Sequence, residues 1–322
     1  MFSRQLILAV PVIAALALLS SPVLSSQEAV APAADKVAPA LAPQSSNSPG
    51  EPDEPLSESR AEKPGSPGDV GANAVPLHMH SEEAYGPVVV TPMITPVAKL
   101  EKGKEAKFTL TLMRDDEIIT EDKLTERHTK KIHLTLLDQS LGDFLHLHPV
   151  ANKEGGFDFS FTPKSSHNYM LWADVKQGND APQMVPMLLE GVDPCKESCA
   201  VKTVADKAEF DGNNAYIALS SPVVRQGVKL DVDLFITDKE GKPFAGLEPV
   251  MGAYGHAFAA YDDLSLMQHA HPRGAAPGAE TDRGASPLSF SFEPAKKGFL
   301  KIFVQLRAGG KDVYLPFGVN VE

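Results

Sequence analysis

Cysteine is nearly absent, with two residues in a chain of 322. That excludes a disulfide framework, four-cysteine zinc ribbons and four-cysteine iron–sulfur clusters. Basic charge is short as well: 30 Lys and Arg stand against 42 Asp and Glu, a net of −12. Nucleic-acid binders carry basic faces, so this balance argues against them and against an anionic lipid surface. Aromatics are only 7% of residues, with one Trp. No apolar run is long enough to span a bilayer comfortably; the longest is Leu6 to Leu19. Nucleophile elbows, H-E-x-x-H, Walker A loops and G-x-G-x-x-G are all missing. Outside the N-terminal run, no stretch shows a strong 3.6-residue period, and only Thr120 to Lys131 leaves room for a helical turn.

What is present begins with an expected export signal over residues 1–26. Arg4 precedes the apolar run, and small residues through Ser25 and Ser26 follow it, the order of a secretory leader. A periplasmic or secreted protein is therefore expected, with no membrane contact after cleavage. Residues 27–82 read as a disordered acidic tether. From Gln27 to Pro76 there are nine prolines, eight acids, three bases and no Phe, Trp, Tyr or Ile. Such a composition buries too little apolar surface to offset the entropy of ordering.

The remainder is an internal duplication. His133, His146, His148 and Pro149 are matched by His256, His269, His271 and Pro272, both in the frame H-x12-H-x-H-P without a gap. Phe157, Phe159, Phe161 and Pro163 answer Leu288, Phe290, Phe292 and Pro294, and nine residues beyond each proline stands an aromatic, Trp172 or Phe303. Domain 1 is expected over 83–192, a linker with Cys195 and Cys199 over 193–204, and domain 2 over 205–322. Period-2 alternation, as in Leu230, Val232 and Leu234 against Asp231 and Asp233, predicts short strands. The expected fold is all-β: two tandem immunoglobulin-like antiparallel β-sandwiches.

The histidine frame predicts a site. His133 falls in one strand, and His146 and His148 in the next. Opposed residues of a hairpin have a constant index sum. A sum of 281 pairs His133 with His148, and 279 pairs it with His146; either puts all three on one face, because side chains alternate. Facing Cβ atoms are about 5 Å apart, so three imidazoles can converge on one ion. The second copy follows the same arithmetic. Each triad is therefore a candidate metal site: His133, His146 and His148 in one, and His256, His269 and His271 in the other. The alternative is that the histidines merely hold the hairpin together by hydrogen bonds.

Weaker candidates surround them. Met267 lies two residues before His269 on the same strand face, and Phe144 is its counterpart. Met251 and His128 occupy equivalent places five residues before His256 and His133. His78 and His80 flank Met79 in the tail. Cys195 and Cys199 form a small disulfide, a metal clip or a pair of free thiols, with the disulfide favoured. Core packing for the methionines, solvation for the tail histidines and a surface place for His128 are the competing readings. Asp138 and Asp262 read as turn residues rather than as general bases.

The segment from Lys131 to Pro149, followed by the Phe-x-Phe strand, resembles a set of secreted bacterial immunoglobulin-like β-sandwich proteins with H…HxHP hairpins. These are associated with envelope handling of copper or other heavy metals. The resemblance covers roughly Ala98 to Val192 and Val228 to Val321 and reaches only the six triad histidines and their prolines. It implies a copper ion as cofactor, with zinc or another divalent metal as the alternative. A partner envelope metalloprotein or transporter would then donate or receive the metal. The expected function is metal binding for buffering, transfer or metalloenzyme assembly. A metalloenzyme with an open coordination position and a metal-free interaction module remain as alternatives.

Overall fold

A computed structural model describes residues 84–322. The expected signal and tail, with His78 and His80, lie outside the described residues. All described residues belong to one compact unit. Among them the only helical piece is a 3-10 turn at Glu121–Lys123, and no helix is long and apolar enough to cross a membrane.

Seventeen strands follow in order: β1 Thr91–Thr95, β2 Ala106–Arg114, β3 Glu117–Ile118, β4 Ile132–Asp138, β5 Phe144–Leu147, β6 Val150–Ala151, β7 Phe157–Phe161, β8 Tyr169–Val175 and β9 Gln183–Leu189. The second copy holds β10 Lys207–Phe210, β11 Asn213–Leu219, β12 Leu230–Thr237, β13 His256–Tyr261, β14 Met267–Ala270, β15 Leu288–Phe292, β16 Gly298–Ala308 and β17 Lys311–Val321. They form four antiparallel sheets. In the first copy β1-β2-β7-β6 faces β5-β4-β8-β9, and β3 pairs with β2; in the second β10-β11-β12-β15 faces β14-β13-β16-β17. The chain is two β-sandwiches in tandem, built to one plan.

Alternation sorts the side chains. In β7, Phe157, Phe159 and Phe161 point inward while Asp158 and Ser160 stay wet. They meet Leu134, Leu136, Leu171 and Ala173 in the core of the first sandwich. The second core joins Val232, Leu234 and Phe290 to Ala257, Ala259 and Ile302. Strands β4 and β13 break this pattern, since every residue of both is buried. A strand covered on one side shows alternation, whereas one covered on both sides is apolar throughout. The second cover comes from the other sandwich. Leu137, Phe144 and Trp172 pack with Phe258, Ala260, Met267, Phe299 and Phe303 in a third apolar cluster, drawn from the outward faces of both inner sheets. The rings of Phe144 and Phe303 stack at 4.5 Å. The four sheets are thus layered in sequence, with a seam between the two sandwiches.

Between Pro272 and Pro294 the second copy is eight residues longer than the first is between Pro149 and Pro163, and this excess, within Arg273 to Ser286, is tied to its own sandwich. Gly284 exchanges both backbone hydrogen bonds with Leu247, and the Ser286 hydroxyl accepts from the Ile236 N–H.

Phe303 is 4% exposed within the seam. Phe303→Ala should cost about 3–5 kcal/mol, the usual loss for a buried aromatic truncation. Trp172, the sole tryptophan and buried in the same cluster, gives the fluorescence signal for urea unfolding. The volume-conserving Met267→Leu should cost less than about 1.5 kcal/mol by the same measurement.

Candidate metal centre

The observed register of β4 and β5 pairs Leu134 with Leu147 and Thr135 with His146, which is the index sum of 281. In the second copy Phe258 pairs with His269 and Ala257 with Ala270. All three histidines of each frame therefore share the outward face of an inner sheet. That face is the seam, so both triads are driven into one buried place between the sandwiches. His133 is 2% exposed, His146 6%, His256 0% and His269 5%. His148 and His271 are half-buried. The sequence reading placed one triad in each domain as separate sites; the structure brings them together. The rings of His133 and His269 are 5.8 Å apart, and those of His146 and His256 are 6.0 Å apart. Within the triads the ring separations run from 4.4 to 5.4 Å, so the six imidazoles form one group.

Backbone and side-chain partners fix the tautomers. His133 Nε2–H donates to the Arg127 carbonyl at 3.0 Å, and His256 Nε2–H donates to the Val250 carbonyl at 2.9 Å. A carbonyl only accepts, so Nδ1 of each ring keeps its lone pair. His146 Nδ1–H donates to Gln305 Oε1 at 2.7 Å. Gln305 Nε2–H in turn points to Asp312 Oδ2 at 3.4 Å, which orients the amide. His269 Nδ1–H faces Asp174 Oδ2 at 3.4 Å. The Nε2 lone pairs of His146 and His269 are thereby turned inward.

Lone pair then faces lone pair. His133 Nδ1 and His146 Nε2 are 3.3 Å apart, and His256 Nδ1 and His269 Nε2 are 3.2 Å apart. With these tautomers no proton lies between them, and the contact is not a hydrogen bond. His148 Nε2 stands 3.2 Å from His133 Nδ1. Nitrogens bound at 2.0–2.1 Å with tetrahedral angles lie about 3.3–3.4 Å apart. The arrangement has the spacing of ligands around a transition metal.

Burial also favours the neutral form of these imidazoles. Desolvation pushes His133 below the ordinary imidazole value, and His146, His256 and His269 well below it. It lowers His148 to about 3, with repulsion from His133 adding to the effect.

Asp174 and Gln305 were not singled out from the sequence, yet they organise the centre. Asp174 pairs with His133 on the neighbouring strand, and Gln305 pairs with His256 in the same relation. Each reaches across the seam to a histidine of the other sandwich. Asp174 also accepts from Arg127 at 2.7 Å and from the Tyr85 hydroxyl at 2.6 Å. Burial pushes its carboxyl upward, and Arg127 pulls it back down. The available signal was an acid in the apolar run Tyr169–Val175 and an amide in Gly298–Ala308, since buried polar residues are the informative ones.

The weaker candidates divide. Met267 is buried in the apolar part of the seam, in one cluster with Phe144 and Phe258. Cys195 and Cys199 are joined in a disulfide, so neither offers the thiolate that binds metal. His128 leaves its expected surface place and stacks on His271 at 3.5 Å. Met251 occupies the equivalent turn. Asp138 serves its turn, accepting from the Gly142 and Asp143 N–H groups, and Asp262 pairs with Lys202.

Two outcomes follow for the metal-free protein. The imidazole pKa values are lowered on folding, so the unfolded chain takes up protons first. Stability should be complete above pH about 6.5 and fall as pH drops from there toward 3. Urea midpoints at pH 7.5 and 5.0 check this, and equal midpoints would refute buried neutral imidazoles. Asp174→Ala leaves Arg127, whose side chain is 16% exposed, without its carboxylate. A cost of about 3 kcal/mol is expected in the same assay, with Asp174→Asn milder.

Residues 90–190 and 208–322 each match a domain of unknown function, DUF8832. No protein of curated function matches the chain. Among solved structures, a DUF4426 family protein from Pseudomonas aeruginosa PAO1 is 10% identical, with 36% of this chain and 93% of that one covered, at a TM-score of 0.23. The Escherichia coli adhesin FdeC is 11% identical over 74% of this chain and 66% of its own, also at 0.23. A DUF4785 family protein from Legionella pneumophila is 13% identical over 72% and 57%, at 0.25. The chain thus spans most of the first structure and less than two thirds of the other two. Matched twice, and over well more than half of its length, the chain belongs to the DUF8832 family.

Proposed function

We propose that this protein binds two transition-metal ions, one at each triad, in a single centre between its sandwiches. One observation carries the reading: in both copies, imidazole lone pairs with externally fixed tautomers meet at 3.2–3.3 Å. Histidines that only held a hairpin together would present a proton to an acceptor. Here the protons of His133, His146, His256 and His269 are spent outward, and the Nδ1–Nε2 contact within each of these two pairs has none between its nitrogens.

Copper is the metal the site favours. Imidazole suits copper, zinc and nickel alike, and the Irving–Williams order places copper first. Charge sharpens the choice. The imidazoles are neutral, and the carboxylate that faces one of them, Asp174, is paired with Arg127. Two buried dications would repel about four times as strongly as two Cu(I) ions at the same separation, because Coulomb energy scales with the product of charges. Together with the expected export signal, this supports a periplasmic or secreted role in holding and passing on copper.

Metal analysis of purified, untagged protein tests the proposal. Two copper ions per chain are expected, falling to one in either His133→Ala or His256→Ala and to none in the double variant. The absence of stoichiometric copper, zinc or nickel at neutral pH would overturn it.

A further inference from the structure

Two turns lie over the centre, and in each the first central position is held by a residue unsuited to its backbone. Arg127 and Lys130 exchange backbone hydrogen bonds around His128 and Thr129, with φ of 48° and 67°. Val250 and Ala253 do the same around Met251 and Gly252, with φ of 49° and 75°. Positive φ at both central positions defines the tightest hairpin turn, which prefers Asn-Gly. His128 and Met251 take the left-handed region at a cost that their side chains must justify. In each turn the first carbonyl holds a triad proton, that of His133 or His256.

The two halves of the seam are related by an approximate twofold axis. His146 reaches Gln305 as His269 reaches Asp174. The His133–His269 separation of 5.8 Å is mirrored by 6.0 Å between His146 and His256. The turns meet near the axis, where a side chain begun on Gly252 would stand 3.6 Å from the Thr129 methyl. His128 crosses the seam and stacks on His271 of the other sandwich at 3.5 Å. Applied to the His128–His271 contact, the same operation would set Met251 over His148 and the first triad.

We infer that Met251 of the second sandwich supplies a thioether to the metal at the first triad, which makes the two sites chemically different. His128, lying parallel to His271, covers the second triad without joining its ligand set. A thioether suits Cu(I), and methionine has the rotatable bonds to turn its sulfur into an open position. The first site would then hold copper through three nitrogens and one sulfur, and the second through nitrogens alone. This rests on the metal-binding reading above.

X-ray absorption on the full chain loaded with Cu(I) without oxygen decides it. Two copper ions per chain are expected, with a sulfur shell at about 2.3 Å averaging half a sulfur per copper. The shell should vanish in Met251→Leu and in Met251→His, the latter repeating the residue of the first turn. It should persist in Met267→Leu and His128→Phe. Cu(I) affinity at one of the two sites should fall at least about tenfold in Met251→Leu, while uptake of two zinc ions is unchanged. Two copper ions without sulfur, or a sulfur shell that survives both Met251 variants, would overturn the inference and leave the metal reading standing. No copper uptake by the unaltered chain would overturn both.

Discussion

The structure depends on burying β4 and β13 on both faces. In an isolated sandwich the outer face of each sheet meets water, and histidines placed there would find solvent partners. Here the outward faces of the two inner sheets close on each other around Phe144, Phe258 and Phe303. Water is excluded from His133, His146, His256 and His269, so their ring nitrogens must be satisfied by the protein or by a bound ion. The dry seam depresses the imidazole pKa values, holds the rings in fixed tautomers and sets the two triads side by side. Packing, protonation and ligand geometry are therefore consequences of one contact.

That contact explains what could be read in the sequence and what could not. The duplication, the strand order and the sharing of one face by each triad follow from local spacing. Face parity is a property of a single hairpin. It does not say what covers the face. The clue was present in His256–Tyr261, whose lack of alternation marks a strand buried on both sides, but a continuous apolar run fits several architectures. Met267 shows the same limit. Parity puts it on the face of His269, and only its position along the seam assigns it to the apolar end. Asp174 and Gln305 were hidden for another reason. They sit on strands outside the histidine frame, and the extra residues of the second copy shift their spacing relative to it.

Duplication would give two identical half-sites, and the residues that differ between the halves lie at the centre itself. His269 is oriented by a carboxylate, while His146 is oriented by an amide. A carboxylate partner raises the basicity of a ligating imidazole more than a neutral amide does. Asp174 is anchored by Arg127 and Tyr85, and Gln305 by Asp312. The geometry has been kept while the electronics of the two halves have diverged. The same has happened in the covering turns, where histidine on one side answers methionine on the other.

On the proposed reading, the crossed partners would also link metal binding to the association of the sandwiches. The orienting group for His146 comes from β16, and that for His269 from β8, in each case from the other half of the molecule. A sandwich alone would keep its three histidines on one face but lose the partner that fixes one ring. Its nitrogens would be hydrated, and ordering them would be charged against the binding energy. With the seam closed, that ordering is already complete. Linkage then runs both ways: an ion that binds only the closed arrangement stabilises the seam by the free energy of its own binding. On the proposed reading, an ion bound between the two halves would be held most firmly in the folded protein and given up most readily where the seam opens.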